Sequence, residues 1–271
     1  MKRRPMSEET KKKISATLKA LKLPTPFLKG IIPWNTGKHL PKYMRNKTYK
    51  QLAEYYDKLT DLKVFATYKS IIGKIRSLRM LDLGCGTGTL LKYYSSKNET
   101  YGIDGAPEMI KIAKAKDKNT YYSIGEIKNF KVNKKFNIIT CAFDTINHLS
   151  TLREWEQLFK MVNAHLGDGG IFIFDFNTIQ GFNNYSNWTI FKKIGKDYFL
   201  MRVKVEGQIC LWLIDGFIKE SAGLFKHKEF IIKERSYPNT LIIKKVKKHF
   251  SVVNIINDKN RTYIKAKKRA A

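Results

Sequence analysis

Short apolar runs alternate with amphipathic stretches from residue 80 to residue 177, and this alternation constrains the fold more than any other feature of the chain. The helical stretches include "PEMIKIAKAK" and "TLREWEQLFKMVNAHL", and we expect the "GDGG" that follows to end the second of them. The strand-length runs between the helices are "RMLDLG", "TYGID", "TYYSIG", "FNIITCAF" and "IFIFDFN". Strands separated by helices form β-α-β units, which assemble into a mostly parallel sheet covered on both faces. The sequence therefore predicts a doubly wound α/β fold.

Long segments rich in aromatic and β-branched residues follow Asn177. "YFLMRVKVEGQICLWLIDGFIKE" and "GLFKHKEFIIKERSY" predict antiparallel strands, which would form an added sheet within about residues 183–236. A helix, "PNTLIIKKVKKHF", and two strands, "SVVNII" and "RTYIKAKK", complete the pattern. Ahead of residue 80, apolar residues recur at helical steps in "TYKQLAEYYDKLTDLKVFATYKSIIGKIRSL", which predicts a helical segment.

A glycine-rich turn, "DLGCGTG" from Asp82 to Gly88, follows the first predicted strand. Such a turn lets a ligand approach the main chain closely and presents free amides at the start of a helix. A dinucleotide fingerprint counted from Gly84 would need its third glycine at the position of Thr89, so the pattern is poor evidence for a pyrophosphate cradle. The next strand ends in Asp104, whose carboxylate can accept hydrogen bonds from both hydroxyls of a ribose. These features predict a nucleoside ligand without a pyrophosphate.

The turn and the segment after it, "YGIDGAPEMIKIAKAK", closely resemble the class I S-adenosylmethionine-dependent methyltransferases. The resemblance covers residues 46–271 and extends to a Gly-acid pair after the third strand, in which a glutamate replaces the more usual aspartate. It implies a seven-stranded Rossmann-like sheet, S-adenosyl-L-methionine as the cofactor and no bound metal. The cofactor-binding residues that it implies are Asp82, Gly84, Cys85, Gly86, Gly88, Asp104, Gly125, Glu126, Phe143 and Asp144.

The loop after the fourth strand, "CAFDTINHL", lacks the Pro-Pro motif of methyltransferases that act on exocyclic amino groups of DNA bases. "YKQLAEYYDKL", "FDTINHL", "FIFDFNT" and "ERSYPNTLIIKKVKKHF" resemble instead a small-molecule branch that includes glycine-, sarcosine- and amino-sugar N-methyltransferases. This resemblance implies methyl transfer to a nitrogen or oxygen of a small molecule. It places Tyr56 near the methionine end of the cofactor and His148 where the substrate pocket opens, so both are candidate catalytic residues. A packing role for His148 is an equal alternative.

The net charge of +29 attracts polyanions, and the charge is densest at the two ends of the chain. Residues 1–50 hold 14 lysines and arginines against Glu8 and Glu9, and the residues from Leu241 onwards hold 10 against Asp258. "SEETKKKIS" with "WNTGK" resembles the modular DNA-binding repeats found beside homing endonucleases. We therefore expect residues 1–45 to form a basic extension that binds nucleic acid. A basic tail, or a lysine-rich composition with solvated side chains, is the alternative.

A nucleic-acid methyltransferase, gripping phosphates through its basic ends, is the second interpretation of the whole chain. No stretch approaches twenty apolar residues and no secretory signal is visible, so we expect neither a membrane span nor export. Cys85, Cys141 and Cys210 stand far apart, which argues against a disulfide framework or zinc site and suits the cytoplasm. The sequence leaves the oligomeric state open.

Overall fold

The computed structural model describes residues 45–60 and 62–269. The basic extension predicted for residues 1–45, with its resemblance to DNA-binding repeats, lies outside the described residues except for Arg45.

Within the described residues, two helices lie ahead of strand β1, α1 (Arg45–Leu59) and α2 (Leu62–Ile72). The helical pattern in the sequence runs through this region without a visible stop, so the division into two helices is a finding of the structure. At the break, the amide and the hydroxyl of Thr60 both donate to the carbonyl oxygen of Tyr56, at 2.9 and 2.7 Å. A hydroxyl that bonds a carbonyl one turn back competes with continuation of the helix.

The predicted strands and helices from residue 79 onwards occur in the predicted order, and the structure adds a short helix at Ile179–Tyr185 and a strand at Thr189–Ile194. In chain order the elements of the first half are β1 (Arg79–Leu83), α3 (Thr89–Tyr94), β2 (Glu99–Asp104), α4 (Pro107–Lys116), β3 (Thr120–Ile124), β4 (Phe136–Cys141), a 3₁₀ turn (Thr145–His148), α5 (Leu152–His165) and β5 (Leu166–Asn177). The second half contains α6 (Ile179–Tyr185), β6 (Thr189–Ile194), β7 (Asp197–Glu206), β8 (Ile209–Lys219), a 3₁₀ turn (Ser221–Gly223), β9 (Phe225–Arg235), α7 (Asn239–Lys247), β10 (Phe250–Asn257) and β11 (Arg261–Lys268).

Seven strands form one mixed sheet in the order β10-β11-β5-β4-β1-β2-β3. Strands β1 to β5 are parallel to one another, and β11 is antiparallel to both of its neighbours, β5 and β10. The other four strands form a separate antiparallel sheet in the order β6-β7-β8-β9. The predicted fold class, a mostly parallel α/β sheet with an added antiparallel sheet, is confirmed.

The segment "GDGG", expected to end a helix, belongs to a strand. Helix α5 ends at His165, and β5 already begins at Leu166. Phe136 pairs with Leu166, but Ile138 pairs with Ile171, so the glycine-rich segment bulges out of the ladder between these two pairs. The bulge absorbs the turn that the glycines permit while the strand continues.

Apolar side chains pack on both faces of the seven-stranded sheet, as a doubly wound fold requires. Helices α5 and α7 cover one face with residues such as Trp155, Phe159 and Ile242. Helices α2, α3 and α4 cover the other, where Tyr68 and Leu91 are buried. None of the helices within the described ranges combines the length and the apolar character that a membrane span needs.

Helix α1 lies between the two sheets. Its Leu52 packs with Phe199, Ile214 and Phe230 of the four-stranded sheet. Ala53, on the same helix, packs with Met109 of α4 beside the seven-stranded sheet. The helix therefore covers the edge at which the parallel strands end, which is where ligands bind in open α/β sheets.

Candidate cofactor and acceptor sites

Asp104 organises the carboxyl edge of the sheet. Its Oδ2 accepts a hydrogen bond from the amide of Gly86 and its Oδ1 one from the amide of Ala106, both at 2.8 Å. Burial raises the pKa of Asp104, and the two amide bonds act against that rise. The carboxylate thus holds the glycine-rich turn against the end of β2 and keeps further lone pairs for a ligand.

The three glycines of the turn all have positive φ, but their surroundings differ. A Cβ on Gly84 would lie 2.2 Å from Cγ2 of Thr145, and one on Gly88 would lie 2.3 Å from Oη of Tyr122. Both positions therefore need glycine for packing within the protein. A Cβ on Gly86 would meet nothing closer than Cε1 of Tyr56, at 3.5 Å. Gly86 therefore borders a space that the protein leaves between the turn and α1.

Asp82 and Cys85 lie beneath this turn. Asp82 is only 2% exposed, and its Oδ1 accepts a 2.6 Å hydrogen bond from the hydroxyl of Thr140. Burial raises the pKa of Asp82 to about 7. Burial also raises the pKa of the Cys85 thiol well above its usual range, which leaves it a packing residue and not a nucleophile.

The Gly-acid pair predicted from the third strand lies next to Asp104. The amide of Gly125 donates to the carbonyl oxygen of Asp104 at 3.0 Å. Glu126 is exposed, and its Oε1 would be 3.6 Å from a Cβ on Gly105, the residue after Asp104. The residues predicted from the first three strands therefore converge on one edge of the sheet.

The pair predicted after the fourth strand, Phe143 and Asp144, adopts the left-handed backbone region, with φ values of 58° and 51°. The ring of Phe143 stacks parallel to that of Tyr68, with centroids 6.2 Å apart. The amide of Asp144 donates to Oδ2 of Asp175 at 2.9 Å, which fixes this uncommon conformation.

Arg261, the first residue of β11, binds two carboxylates at once. Its Nη2 lies 2.7 Å from Oδ1 of Asp144, and its Nη1 donates to Oδ2 of Asp175. Tyr68 donates its hydroxyl to the other oxygen of Asp175. Burial raises the pKa of Asp175, and Arg261 opposes that rise. Neither Arg261 nor Asp175 is predicted as a site residue from the sequence. Asp175 lies within "FIFDFNT", but its partners Arg261 and Tyr68 are distant in the chain and no local signal pairs them.

Tyr49 lies between the two candidate catalytic residues, Tyr56 and His148, and contacts both. The hydroxyl of Tyr49 lies 3.0 Å from Nε2 of His148, and the Tyr49 ring contacts that of Tyr56 edge to face, at 6.1 Å between centroids. The other ring nitrogen of His148 lies 3.4 Å from the carbonyl oxygen of Lys233. Burial, with the fields of Asp144 and Asp104, raises the pKa of Tyr56 well above its usual range, so its hydroxyl is neutral at pH 7.

Side chains near the C-terminal end of helix α1 anchor it on two sides, to the glycine-rich turn and to the antiparallel sheet. Near the turn, Oδ1 of Asp57 accepts from the hydroxyl of Thr87, and Oδ2 lies 2.6 Å from Nζ of Lys116. Towards the antiparallel sheet, the hydroxyl of Tyr55 donates to Asp197 at 2.9 Å. These contacts hold Tyr49 and Tyr56 over the carboxyl edge of the sheet.

The chain is similar to known methyltransferases in sequence and in fold. Residues 80–170 match the family described as "Methyltransferase domain". A curated relative, the dTDP-3-amino-3,6-dideoxy-alpha-D-glucopyranose N,N-dimethyltransferase of Streptomyces fradiae, is 25% identical over 99 residues, which are 36% of this chain and 39% of that one. Across three curated relatives, the chain spans between 39% and 57% of their length.

Two solved structures share the fold over most of the chain. A S-adenosylmethionine-dependent methyltransferase from Clostridium acetobutylicum gives a TM-score of 0.70 at 24% identity, covering 82% of this chain and 99% of that one. An amino pentose methyltransferase from Micromonospora echinaspora, solved with S-adenosylmethionine bound, gives 0.64 at 16% identity, covering 86% and 100%. Residues 80–170 therefore form a methyltransferase domain, and the chain has the fold of S-adenosylmethionine-dependent methyltransferases.

Proposed function

We propose that the protein is an S-adenosylmethionine-dependent methyltransferase that acts on a nitrogen or oxygen of a small-molecule acceptor. The observation that carries the proposal is the space between Gly86 and Tyr56, which lies beside the carboxylate of Asp104. A side chain on Gly86 would enter that space, so the residues present fit a ligand that approaches the main chain there.

The cofactor, when bound, supplies a methyl group activated by its sulfonium. Asp104 would bind the ribose hydroxyls, and the Gly125-Glu126 pair beside it would contact the adenine. Asp82, Cys85 and the backbone of the turn would support the methionine end, with Tyr56 above them. These assignments extend the sequence resemblance to positions that the fold brings together.

The protein's own part in the reaction is to align the acceptor and to exclude water, because the donor carbon is already activated. Helix α1 is suited to both tasks, since Tyr49 and Tyr56 cover the carboxyl edge and the C-terminal part of the helix is anchored through Tyr55 to Asp197 and through Asp57 to Lys116. Two of the three similar proteins named above, those from Streptomyces fradiae and Micromonospora echinaspora, are named for amino-sugar acceptors, which supports a nitrogen acceptor of that size.

The experiment that tests the proposal supplies the protein with methyl-labelled cofactor and a cell extract, followed by separation into small-molecule, nucleic-acid and protein fractions. We expect the label in the small-molecule fraction, and amino sugars with and without a nucleotide carrier form the first panel of pure acceptors. Label in the nucleic-acid fraction would overturn the small-molecule assignment and favour the second interpretation.

Replacement of Asp104 by alanine is expected to weaken S-adenosylhomocysteine binding by about 1.5–3 kcal/mol, the range of hydrogen bonds to a charged acceptor. Calorimetric titration measures it. Asp117→Ala is the matched control, because the Asp117 carboxylate also accepts a backbone amide, from Asn119, but lies just ahead of β3, at the opposite end of that strand. Equal affinities of the Asp104 variant and the wild type would rule out the ribose role.

We propose that the basic extension, residues 1–45, binds nucleic acid and takes no part in catalysis. Deletion of residues 1–45 is expected to leave cofactor affinity and the thermal midpoint nearly unchanged, and to reduce retention on DNA or RNA at low salt. The retention of the full chain should itself fall steeply as salt rises, because phosphate contacts release counterions. A truncated protein that unfolds or loses the cofactor would place the segment within the catalytic domain.

A further inference from the structure

Glu234, near the end of β9, is a carboxyl group in the interior, with only 3% of its surface exposed. Its Oε2 accepts a 2.8 Å hydrogen bond from Nδ2 of Asn177. Burial raises the pKa of Glu234 well above its usual range, and the neighbouring carboxylate of Asp144 raises it further. Burying an ionisable carboxyl group is energetically costly, and such groups cluster at functional sites, so Glu234 is a candidate for a functional role.

Glu234 lies beside the ion pairs of Arg261 without joining them. Among the residues that the structure describes, Arg261 binds Asp144 and Asp175, whereas Glu234 forms no ion pair and shares a hydrogen bond with Asp144. A second positive charge placed beside Glu234 would be stabilised by the pair that Glu234 forms with Asp144.

A second observation at the same place points to a missing hydrogen-bond donor. Oδ1 of Asn177 is buried and accepts no hydrogen bond within the described part of the chain, although Nδ2 of the same amide bonds Glu234. Buried amide oxygens are almost always paired in native proteins. An ammonium group carries three donors and one positive charge, so it can serve both the carboxylate and the amide oxygen.

Glu234 also lies on the acceptor side of the site. The carbonyl oxygen of the preceding residue, Lys233, lies 3.4 Å from Nδ1 of His148, and Nε2 of His148 lies 3.0 Å from the hydroxyl of Tyr49, whose ring contacts Tyr56. Tyr56 in turn borders the space at Gly86. The two tyrosines therefore connect the glycine-rich turn to the end of the antiparallel sheet that carries Glu234.

We propose that Glu234, with Asn177 beside it, binds the cationic amino group of the acceptor and so selects amines over alcohols. This proposal rests on the proposed function, because it assumes that the space under α1 receives the acceptor. Asp144 stays paired with Arg261 and adds to the negative potential at the position of the bound amino group. On binding, the carboxyl proton of Glu234 passes to solvent and the ammonium takes its place. Before transfer the ammonium returns one proton to Glu234, so that the neutral amine has the lone pair that attacks the methyl carbon.

The test uses two cofactor analogues that differ in charge at the transfer position and needs no knowledge of the acceptor. S-adenosylhomocysteine is neutral there, whereas sinefungin carries an amino-bearing carbon in place of the methyl sulfonium. We expect the wild-type protein to bind sinefungin more tightly, and Glu234→Gln to reduce that preference about tenfold while S-adenosylhomocysteine affinity is retained. Glu229→Gln, which removes an exposed carboxylate on the same strand, is the control and should change neither affinity.

Each outcome decides a different question. Failure of both analogues to bind the wild type would overturn the proposed function itself. Binding of both with a preference for S-adenosylhomocysteine in the wild type, or an unchanged preference in the Glu234 variant, would overturn the assignment of Glu234 alone. Retained S-adenosylhomocysteine affinity shows that the Glu234 variant is folded, and a wild-type preference for S-adenosylhomocysteine would overturn the assignment without any variant.

Discussion

Replacement of Arg261 by methionine is expected to lower the free energy of unfolding by about 3–5 kcal/mol, the cost of leaving a buried charge without its partner. The arginine side chain is 14% exposed and contacts both Asp144 and Asp175, the second of which is fully buried. Methionine fills a similar volume but offers no donor, so both carboxylates lose their cation. Denaturant unfolding measures the loss.

The loss should grow with pH. Burial raises the pKa of Asp175 and Arg261 opposes that rise, so the variant's Asp175 pKa moves further upward. The folded variant then holds a proton at pH values where the unfolded chain, with an aspartate pKa of about 3.9, has released it. Stability falls with pH when the native state binds more protons, so the loss should be larger at pH 8 than at pH 5.

Arg79→Met is the matched control. Arg79 is also the first residue of a strand, and its Nε lies 2.7 Å from Glu99, but the two side chains are 37% and 35% exposed. Exposed pairs contribute between about 0 and 1 kcal/mol. If the two arginine variants lost the same stability, burial of the Arg261 cluster would not be the source of its effect.

The second large effect is expected at Gly86. Replacement by valine should weaken S-adenosylhomocysteine binding by about 3 kcal/mol, or roughly a hundredfold, because the side chain would occupy the space between the turn and Tyr56. At a φ of +53° a valine also strains the backbone, which lowers the stability of the protein rather than its affinity for the ligand. Titration calorimetry and the thermal midpoint separate the two effects.

Gly207→Val provides the control for strain alone. Gly207 has a φ of +57° in the turn between β7 and β8, and a Cβ there would meet nothing within 4 Å. Its variant should lose thermal stability but keep its affinity for the ligand. A Gly86 variant that loses stability and retains full affinity would show that the ligand lies elsewhere.

The sequence predicts the parallel half of the site well, because its signals are local. The glycines of the turn and the acid at Asp104 each stand at the end of a recognisable strand, and parallel strands must bring those ends together. The alternation of strands and helices likewise predicts the sheet. The ends of some elements could be located only in the structure. At Thr60 a helical pattern competes with a side chain that ends the helix, and in "GDGG" glycines typical of a turn lie within a strand.

The contacts that join the rest of the site could not be predicted, because no local signal pairs the residues. Glu234 opens the segment "ERSYPNTLIIKKVKKHF" and Asn177 lies in "FIFDFNT", but nothing in the sequence pairs them with each other or with Asp144 and Arg261. Their roles follow only from tertiary contact and burial. His148 shows the same limit, since its two ring contacts, to Tyr49 and to the backbone of Lys233, come from different elements.

The position of β11 has a consequence for the order in which the protein folds. Arg261 meets Asp175 across 86 residues of chain, and Tyr68 meets it across 107. Contacts between distant segments form late, because the entropy of closing long loops must be overcome first. During synthesis, strands β1 to β5 leave the ribosome well before Arg261, so Asp144 and Asp175 lack the positive charge of Arg261 until it emerges. A nascent chain halted before residue 261 should therefore hold an acidic, incomplete carboxyl edge and remain dependent on chaperones until β11 inserts beside β5.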